Sequence, residues 1–312
     1  MRLALFMIES PHRPHVGPSG LPHSGEVSAS LTSPEYLAGV AQYAEELGFG
    51  AILFPEHVVL PVEYESRYPY QPYEGGAFKR YPFDTTSFPE PMTALSFVAA
   101  VTKRIRLGTS VLILPQRNPV VLAKQIATLD ALSRGRVSLA VGIGWFREEF
   151  EAIGAPWQRR GLRADEYMQA MRALWTEDEA TFEGQTVSFR RIRCLPKPAQ
   201  AGGVPLIVGG HSEAAARRAG RLGDGYMPIV FAGYGGEQSD TPRLIEVFRQ
   251  SAREAGRDPD RLELWMGGGA GDRSTLARFE QAGATQVHFT FSEPDLESAK
   301  RRLESIAEAV MV

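Results

Sequence analysis

The residues that could do chemistry in this chain fall at the ends of short apolar runs. The first such run closes as Phe54-Pro55-Glu56-His57. A histidine exchanges a proton near neutral pH, and an adjacent carboxylate could orient it or bind substrate. The same pair also suits a loop cap, in which the imidazole only hydrogen-bonds. A second run continues as Val141-Gly142-Ile143-Gly144-Trp145-Phe146-Arg147-Glu148-Glu149-Phe150. Two glycines before a tryptophan suit a flat aromatic ligand lying against backbone, or a tight turn over a core Trp145. They are not a dinucleotide fingerprint, because Arg147 stands where the third glycine would be. A third run ends in Gly209-Gly210-His211-Ser212 and opens a helical pattern. Free N–H groups at a Gly-rich helix start bind anions, phosphate included. Ser212 is a natural N-cap, and a capped helix start without a ligand is the plainer alternative. A fourth run, Gly267-Gly268-Gly269-Ala270-Gly271-Asp272, suits either a phosphate loop or a flexible linker.

Other reactive residues carry less. His12, His15 and His23 crowd one stretch, but no carboxylate or cysteine sits at tight ligand spacing, so a solvated loop is expected rather than a metal site. Cys194 has no adjacent base and reads as an inert small residue. Neither a serine nucleophile elbow nor a phosphate-binding P-loop is present.

Positioning these groups falls to one repeated module: a helical pattern stops at Gly, and a short apolar run follows at once. It occurs at Gly48, Gly135, Gly223 and Gly283. A left-handed glycine C-cap with an immediate strand implies right-handed crossovers and a parallel sheet. Strands are expected over 3–8, 51–54, 105–112, 137–141, 205–208, 225–229, 262–266 and 286–289. Helices are expected over 33–47, 91–102, 120–132, 162–175, 212–222, 242–255, 273–282 and 294–309. Eight strand–helix units in this length predict an α/β fold, a (β/α)₈ barrel in a single domain over 1–312, with insertions at about 10–32, 58–90, 178–200 and 231–241. A doubly wound sheet would usually carry a Gly-rich turn after its first strand, where this chain has Glu9-Ser10-Pro11-His12. Within the third insertion, 181–189 alternates around Glu183-Gly184 and reads as a hairpin. In a barrel, residues at strand C-termini and the loops after them form the catalytic face.

Composition narrows the class. The chain has 312 residues, 43% hydrophobic and 23% charged, with a formal net charge of -3. Such a balance points to neither nucleic acid nor an anionic membrane surface as a partner. A single cysteine excludes an internal disulfide and fits a reducing compartment, so a cytoplasmic location is expected. The apolar run 3–8 is short and ends in Glu9-Ser10-Pro11 without a small-residue cleavage pattern.

Taken in order, several segments resemble the luciferase-like flavin and deazaflavin oxidoreductases. They are Ala44-Glu45-Glu46-Leu47-Gly48-Phe49, Phe54-Pro55-Glu56-His57, 106–112 with Asn118-Pro119-Val120-Val121-Leu122-Ala123-Lys124, 141–149, and Gly223-Asp224-Gly225-Tyr226. The resemblance covers essentially the whole chain and is nearest to the branch that uses coenzyme F420. It implies a tricyclic ring at the C-terminal face, lying over Thr109, Ser110 and Val111, with a non-prolyl cis peptide at Ser110-Val111. It further implies that His57 donates or accepts the proton beside the ring, with Glu56 next to it. Gly144 and Trp145 would line the ring, and Gly209, Gly210 and His211 would bind the cofactor phosphate. Trp145 stands where the sugar-phosphate dehydrogenases of the family carry a glutamate, which argues against a sugar phosphate as substrate.

The resemblance therefore implies hydride transfer between F420 and a small organic substrate; the family's members are often dimers, which makes a homodimer a possible state of this chain. An FMN-dependent monooxygenase of the same fold is the runner-up; it would take reduced flavin from a partner reductase and use oxygen. A cofactor-binding protein without turnover is the third. A metal-dependent hydrolase lacks a ligand cluster. The tyrosines Tyr64, Tyr68, Tyr70 and Tyr73 suggest either an apolar cover on the substrate side or plain surface packing.

Overall fold

The repeated helix–Gly–strand module closes on itself. The computed structural model describes residues 1–9, 31–69, 86–229, 240–267 and 273–310. Its barrel strands are β1 (Arg2–Met7), β2 (Ala51–Phe54), β3 (Arg106–Ile113), β4 (Val137–Gly142), β7 (Leu206–Gly209), β8 (Gly225–Met227), β9 (Glu263–Gly267) and β10 (Gln286–Phe291). They pair in parallel in the cyclic order β1-β10-β9-β8-β7-β4-β3-β2. The helices are α1 (Pro34–Leu47), α2 (Pro91–Val101), α3 (Pro119–Ser133), α4 (Arg147–Ala152), α5 (Arg160–Thr176), α6 (Glu213–Leu222), α7 (Thr241–Glu254), α8 (Arg273–Gln281) and α9 (Leu296–Val310). Each expected strand and helix is found, with ends moved by a few residues. The hairpin is β5 (Ala180–Glu183) with β6 (Ser188–Ile192). The short helix α4 has no counterpart in the sequence reading. The His12/His15/His23 stretch, Tyr70, Tyr73, the 268–272 glycine run and the loop 231–239 lie outside the described residues.

Alternation builds the two cores. Successive strand side chains point to opposite faces, so Ala4, Ala51, Leu53, Ala140, Ile207, Met227 and Trp265 fill the barrel, with Val111 against them. Leu5, Ile52, Leu107, Leu139, Leu206 and Val287 face outward to the helices. Strands covered on both sides read as near-continuous apolar runs, which is why they were visible in the sequence.

Local signals set the helix ends. Ser33 accepts from Tyr36 N–H ahead of α1, and Asn118 from Val120 and Val121 N–H ahead of α3; each is followed by a proline at the first helical position, where its missing N–H costs nothing. Gly48 closes α1 with φ of 92°, as the module requires. Gly223 does not: it is extended, with φ of -80°. Its glycine is required by space, since a Cβ there would lie 3.0 Å from Ala219 O, Gly225 O and Val208 Cγ2.

Pairing of β3 with β4 is interrupted. Leu107, Gly108 and Thr109 sit opposite Val137, Ser138 and Leu139, and pairing resumes one residue out of step at Leu112 opposite Val141. The Ser110–Val111 peptide bond inside this interruption is cis, as the resemblance implies. Below it the strands are in tight contact: a Cβ on Gly108 would stand 2.6 Å from both Leu53 Cδ2 and Ser138 O. Gly108→Ala is expected to destabilise the fold by about 1–3 kcal/mol in urea denaturation.

A buried imidazole fills the upper barrel. His288 is 4% exposed, meets Phe6 edge-on at 6.0 Å, and occupies the room left by Gly267, where a Cβ would come within 1.8 Å of its Nε2. Burial pushes this histidine down to about 4. The folded ring is then neutral while the unfolded chain binds a proton near pH 6.5, so stability is present above about pH 6.5 and is lost as pH falls toward 4. The loss expected from this group between pH 7 and pH 4 is about 3 kcal/mol. Urea midpoints across that window should fall less steeply in His288→Leu.

Candidate active site

The C-terminal ends of β2, β3, β4 and β7 converge on one mouth. At the end of β2, Glu56 is 4% exposed and both of its oxygens accept hydrogen bonds. Oε2 takes the N–H of Ile113 at the end of β3. Oε1 takes Arg117 Nε at 2.8 Å and also Arg117 Nη2. Arg117 Nη2 continues to Glu90 Oε1 at 2.7 Å, and Glu90 caps the first N–H groups of α2. Burial pushes the Glu56 carboxyl up, and Arg117 and the Ile113 N–H pull against that. Every contact donates to it, so the carboxylate is the charged partner of a buried ion pair.

Glu56 is therefore not the group that orients His57, as the sequence reading allowed. That carboxylate is Glu149, in the first turn of α4 and fully buried. Its Oε2 lies 2.9 Å from His57 Nδ1, and its Oε1 accepts the Val58 N–H at 2.6 Å. Glu148 beside it accepts the N–H groups of Glu65 at 2.7 Å and Ser66 at 3.0 Å, and the Ser66 hydroxyl accepts the Arg147 N–H. Carboxylates are favoured in a first helical turn. Here the pair fastens α4 to the segment after β2. Sequence reasoning missed Glu149 as a site residue; adjacent acids at a helix start were the available signal.

Aromatic rings surround His57. Phe88, Trp145 and Phe146 meet it edge-on at 5.1, 6.2 and 6.1 Å. Trp145 stacks on Phe146 at 4.2 Å, and Tyr68 and Tyr64 close on that pair at 5.2 and 4.8 Å. Trp145 thus belongs to an aromatic wall on the same side as the imidazole. Arg160, which no sequence signal marked, donates from Nε to Gly144 O at 3.3 Å and lies 3.7 Å over the Trp157 ring.

Val111 wedges between β4 and β7. A Cβ on Gly209 would lie 2.5 Å from its Cγ1, and one on Gly142 2.8 Å from its Cγ2. Ser110 Oγ sits 3.7 Å from Met227 Sδ. Both residues are partly exposed, whereas Thr109 is fully buried and spends its hydroxyl on Ala140 O at 2.7 Å. Thr109 ties β3 to β4 and has no surface to offer a ring. At β7, Gly210 has φ of 139°, its N–H donates to Met227 O, and its carbonyl accepts from Tyr226 OH at 2.9 Å. Ser212 accepts from Ala215 N–H, while the earlier N–H groups of α6 have no intrahelical acceptor. His211 is partly buried, its Nδ1 has no protein partner, and burial lowers its pKa against the opposing charge of Asp240. Among the described residues no cluster of His, Cys, Asp or Glu could hold a metal ion.

The chain is thus a closed parallel barrel with a histidine–carboxylate pair and an aromatic wall at its C-terminal mouth. The sequence pattern of the luciferase-like monooxygenases matches residues 11–304, and the chain belongs to that family. An uncharacterised protein of Mycobacterium tuberculosis is 33% identical over 292 residues, 90% of this chain and 96% of that one. The F420-dependent glucose-6-phosphate dehydrogenase of Nocardia farcinica is 33% identical over 245 residues, 76% of this chain and 65% of that one. The FMNH2-dependent dimethylsulfone monooxygenase of Pseudomonas putida is 35% identical over 141 residues, 44% and 39% of the two chains. Among solved structures, monooxygenase RslO1 from Streptomyces bottropensis superposes with a TM-score of 0.71 at 21% identity, covering 100% of this chain and 99% of that one. No helix among the described residues is long and apolar enough to cross a membrane.

Removing Arg117 would leave the Glu56 carboxylate buried without its partner. Arg117→Met is expected to cost about 3–5 kcal/mol of stability. The double variant with Glu56→Gln should recover part of that loss, read as coupling in a double-mutant cycle by urea denaturation.

Proposed function

We propose that this chain is an F420-dependent oxidoreductase that transfers hydride between the deazaflavin and a small organic substrate, with His57 exchanging the accompanying proton. The observation that carries this reading is the His57–Glu149 pair at the end of β2. In this reading Glu149 accepts a hydrogen bond from Nδ1–H, which fixes the orientation and tautomer of the ring that exchanges the proton. Glu149 also offsets the positive charge that develops when the imidazole is protonated. Glu56 and Arg117 position this end of β2 against β3 and do not touch the reactants.

The residues present fit a tricyclic cofactor with a phosphorylated side chain. Ser110 and Val111 give a partly exposed floor, Gly144 and Trp145 a wall, and the first N–H groups of α6, just after the Gly209-Gly210-His211 turn, a set of donors for phosphate. When bound, the deazaflavin supplies the hydride chemistry. The wall of Trp145, Phe146, Tyr64 and Tyr68 orients an apolar substrate and excludes water from the imidazole. The relative that takes F420 aligns over more of this chain than the one that takes FMNH2, which favours the deazaflavin. An FMN-dependent monooxygenase supplied by a reductase is the second reading, favoured by that shorter match.

Three measurements test these readings. Fluorescence titration is expected to give saturable binding of F420 and weak binding of FMN; tight FMN binding without F420 binding would favour the monooxygenase. His57→Ala is expected to lower turnover by roughly 10²–10⁴-fold with cofactor affinity unchanged, and Glu149→Gln should lower it by less. Absence of F420 oxidation or reduction across a panel of alcohols, ketones and enones would leave a cofactor-binding protein instead.

A further inference from the structure

The opposite end of the barrel holds charge that the mouth does not use. Alternation along the strands places Arg2, Arg106, Glu263 and Gln286 inside the barrel, one interior step below Ala4, Gly108, Trp265 and His288. Glu263 is satisfied within this group, accepting Arg2 Nη2 and Trp265 Nε1. The rest is not satisfied by protein. Arg2 Nε, Arg106 Nε and both amide atoms of Gln286 are buried without a protein partner, and Gln286 is fully buried. Arg106 forms no side-chain hydrogen bond or ion pair among the described residues. Asp130, the other carboxylate whose charge reaches Arg106, accepts hydrogen bonds from the Val137 N–H and from Gln200.

Hydrogen-bond donors are in excess, and only Glu263 pairs directly with a guanidinium. Asp130 reaches Arg106 through its charge alone, and three unpartnered donor nitrogens face one unpartnered acceptor, Gln286 Oε1. Burial and the like charge of Arg2 both work against the Arg106 cation, and Glu263 and Asp130 offset them only in part, so its pKa is lowered. Buried charges are ordinarily paired and buried polar groups ordinarily bonded. A water molecule supplies acceptors but no countercharge; an anion supplies both. The group is also reachable, since the Arg2 and Glu263 side chains are 29% and 25% exposed.

We propose that the N-terminal end of the barrel binds a small inorganic anion, a halide or an oxyanion, through the guanidinium groups of Arg2 and Arg106 and the amide nitrogen of Gln286. The anion neutralises the second guanidinium and closes the barrel floor. It lies at the far end from His57 and takes no part in hydride transfer.

Thermal unfolding of the whole chain tests this, at constant ionic strength, with sodium gluconate replaced stepwise by sodium bromide or by sodium phosphate. A saturable rise in Tm of several degrees is expected with at least one of the two, and which one responds tells halide from oxyanion. In Arg106→Gln the rise should vanish, with F420 or FMN affinity at the mouth unchanged. Should that variant fail to fold, bromide-soaked crystals of the wild-type protein are expected to show an anomalous peak between Arg106 and Gln286. A Tm that follows ionic strength alone, a rise that survives in Arg106→Gln, or ordered water without anomalous signal at that place overturns the proposal.

Discussion

Two buried carboxylates decide where the end of β2 goes. Glu56 binds the Ile113 N–H and Arg117, and so fixes β2 to the end of β3 and, through Glu90, to the start of α2. Glu149 reaches from the other side and takes the His57 ring and the Val58 N–H. Between them the chain at 56–58 has little freedom, although it has left regular secondary structure. The proton exchange proposed for His57 needs that fixity, and an isolated loop could not give it. The energetic risk is that a carboxylate out of water is costly unless every lone pair is used. Both carboxylates are bonded at both oxygens.

Much of the fold was legible because each strand is covered on both faces and each helix stop is chemically marked. The eight strand runs, the 181–189 hairpin and the placement of His57 at a strand end all follow from such local signals. Contacts between distant segments were not legible. His57 and Glu149 are 92 positions apart, and no periodicity joins them. Glu56 was misassigned for the same reason: adjacency in sequence to His57 suggested a joint role, whereas its partners lie on β3 and in the turn beyond it. Thr109 shows a further limit. The run Gly108-Thr109-Ser110 looks uniformly small and polar, yet the pleat sends Thr109 into contact with Ala140 while its neighbour Ser110 reaches the mouth. Gly223 looked like Gly48, but one supplies a left-handed turn and the other only the absence of a side chain.

Three histidines illustrate how placement sets chemistry. His57 has its Nδ1 held by a carboxylate. His211 is partly buried at a helix start, where lost hydration favours its neutral form. His288 is sealed between Phe6 and Gly267 and stays uncharged far below neutral pH. The residue type is common to all three; the strand position, the depth and the neighbour differ.

The fastening of α4 to the segment after β2 has a kinetic meaning. Glu148 and Glu149 stand side by side, one gripping the backbone at 65–66 and the other gripping His57 and Val58. That segment carries Tyr64 and Tyr68, which close over Phe146 and Trp145. Swinging it outward strains the same short helix that aligns the imidazole. If His57 carries the proton as proposed, the aromatic cover and the proton carrier are coupled through α4, and displacing one displaces the other.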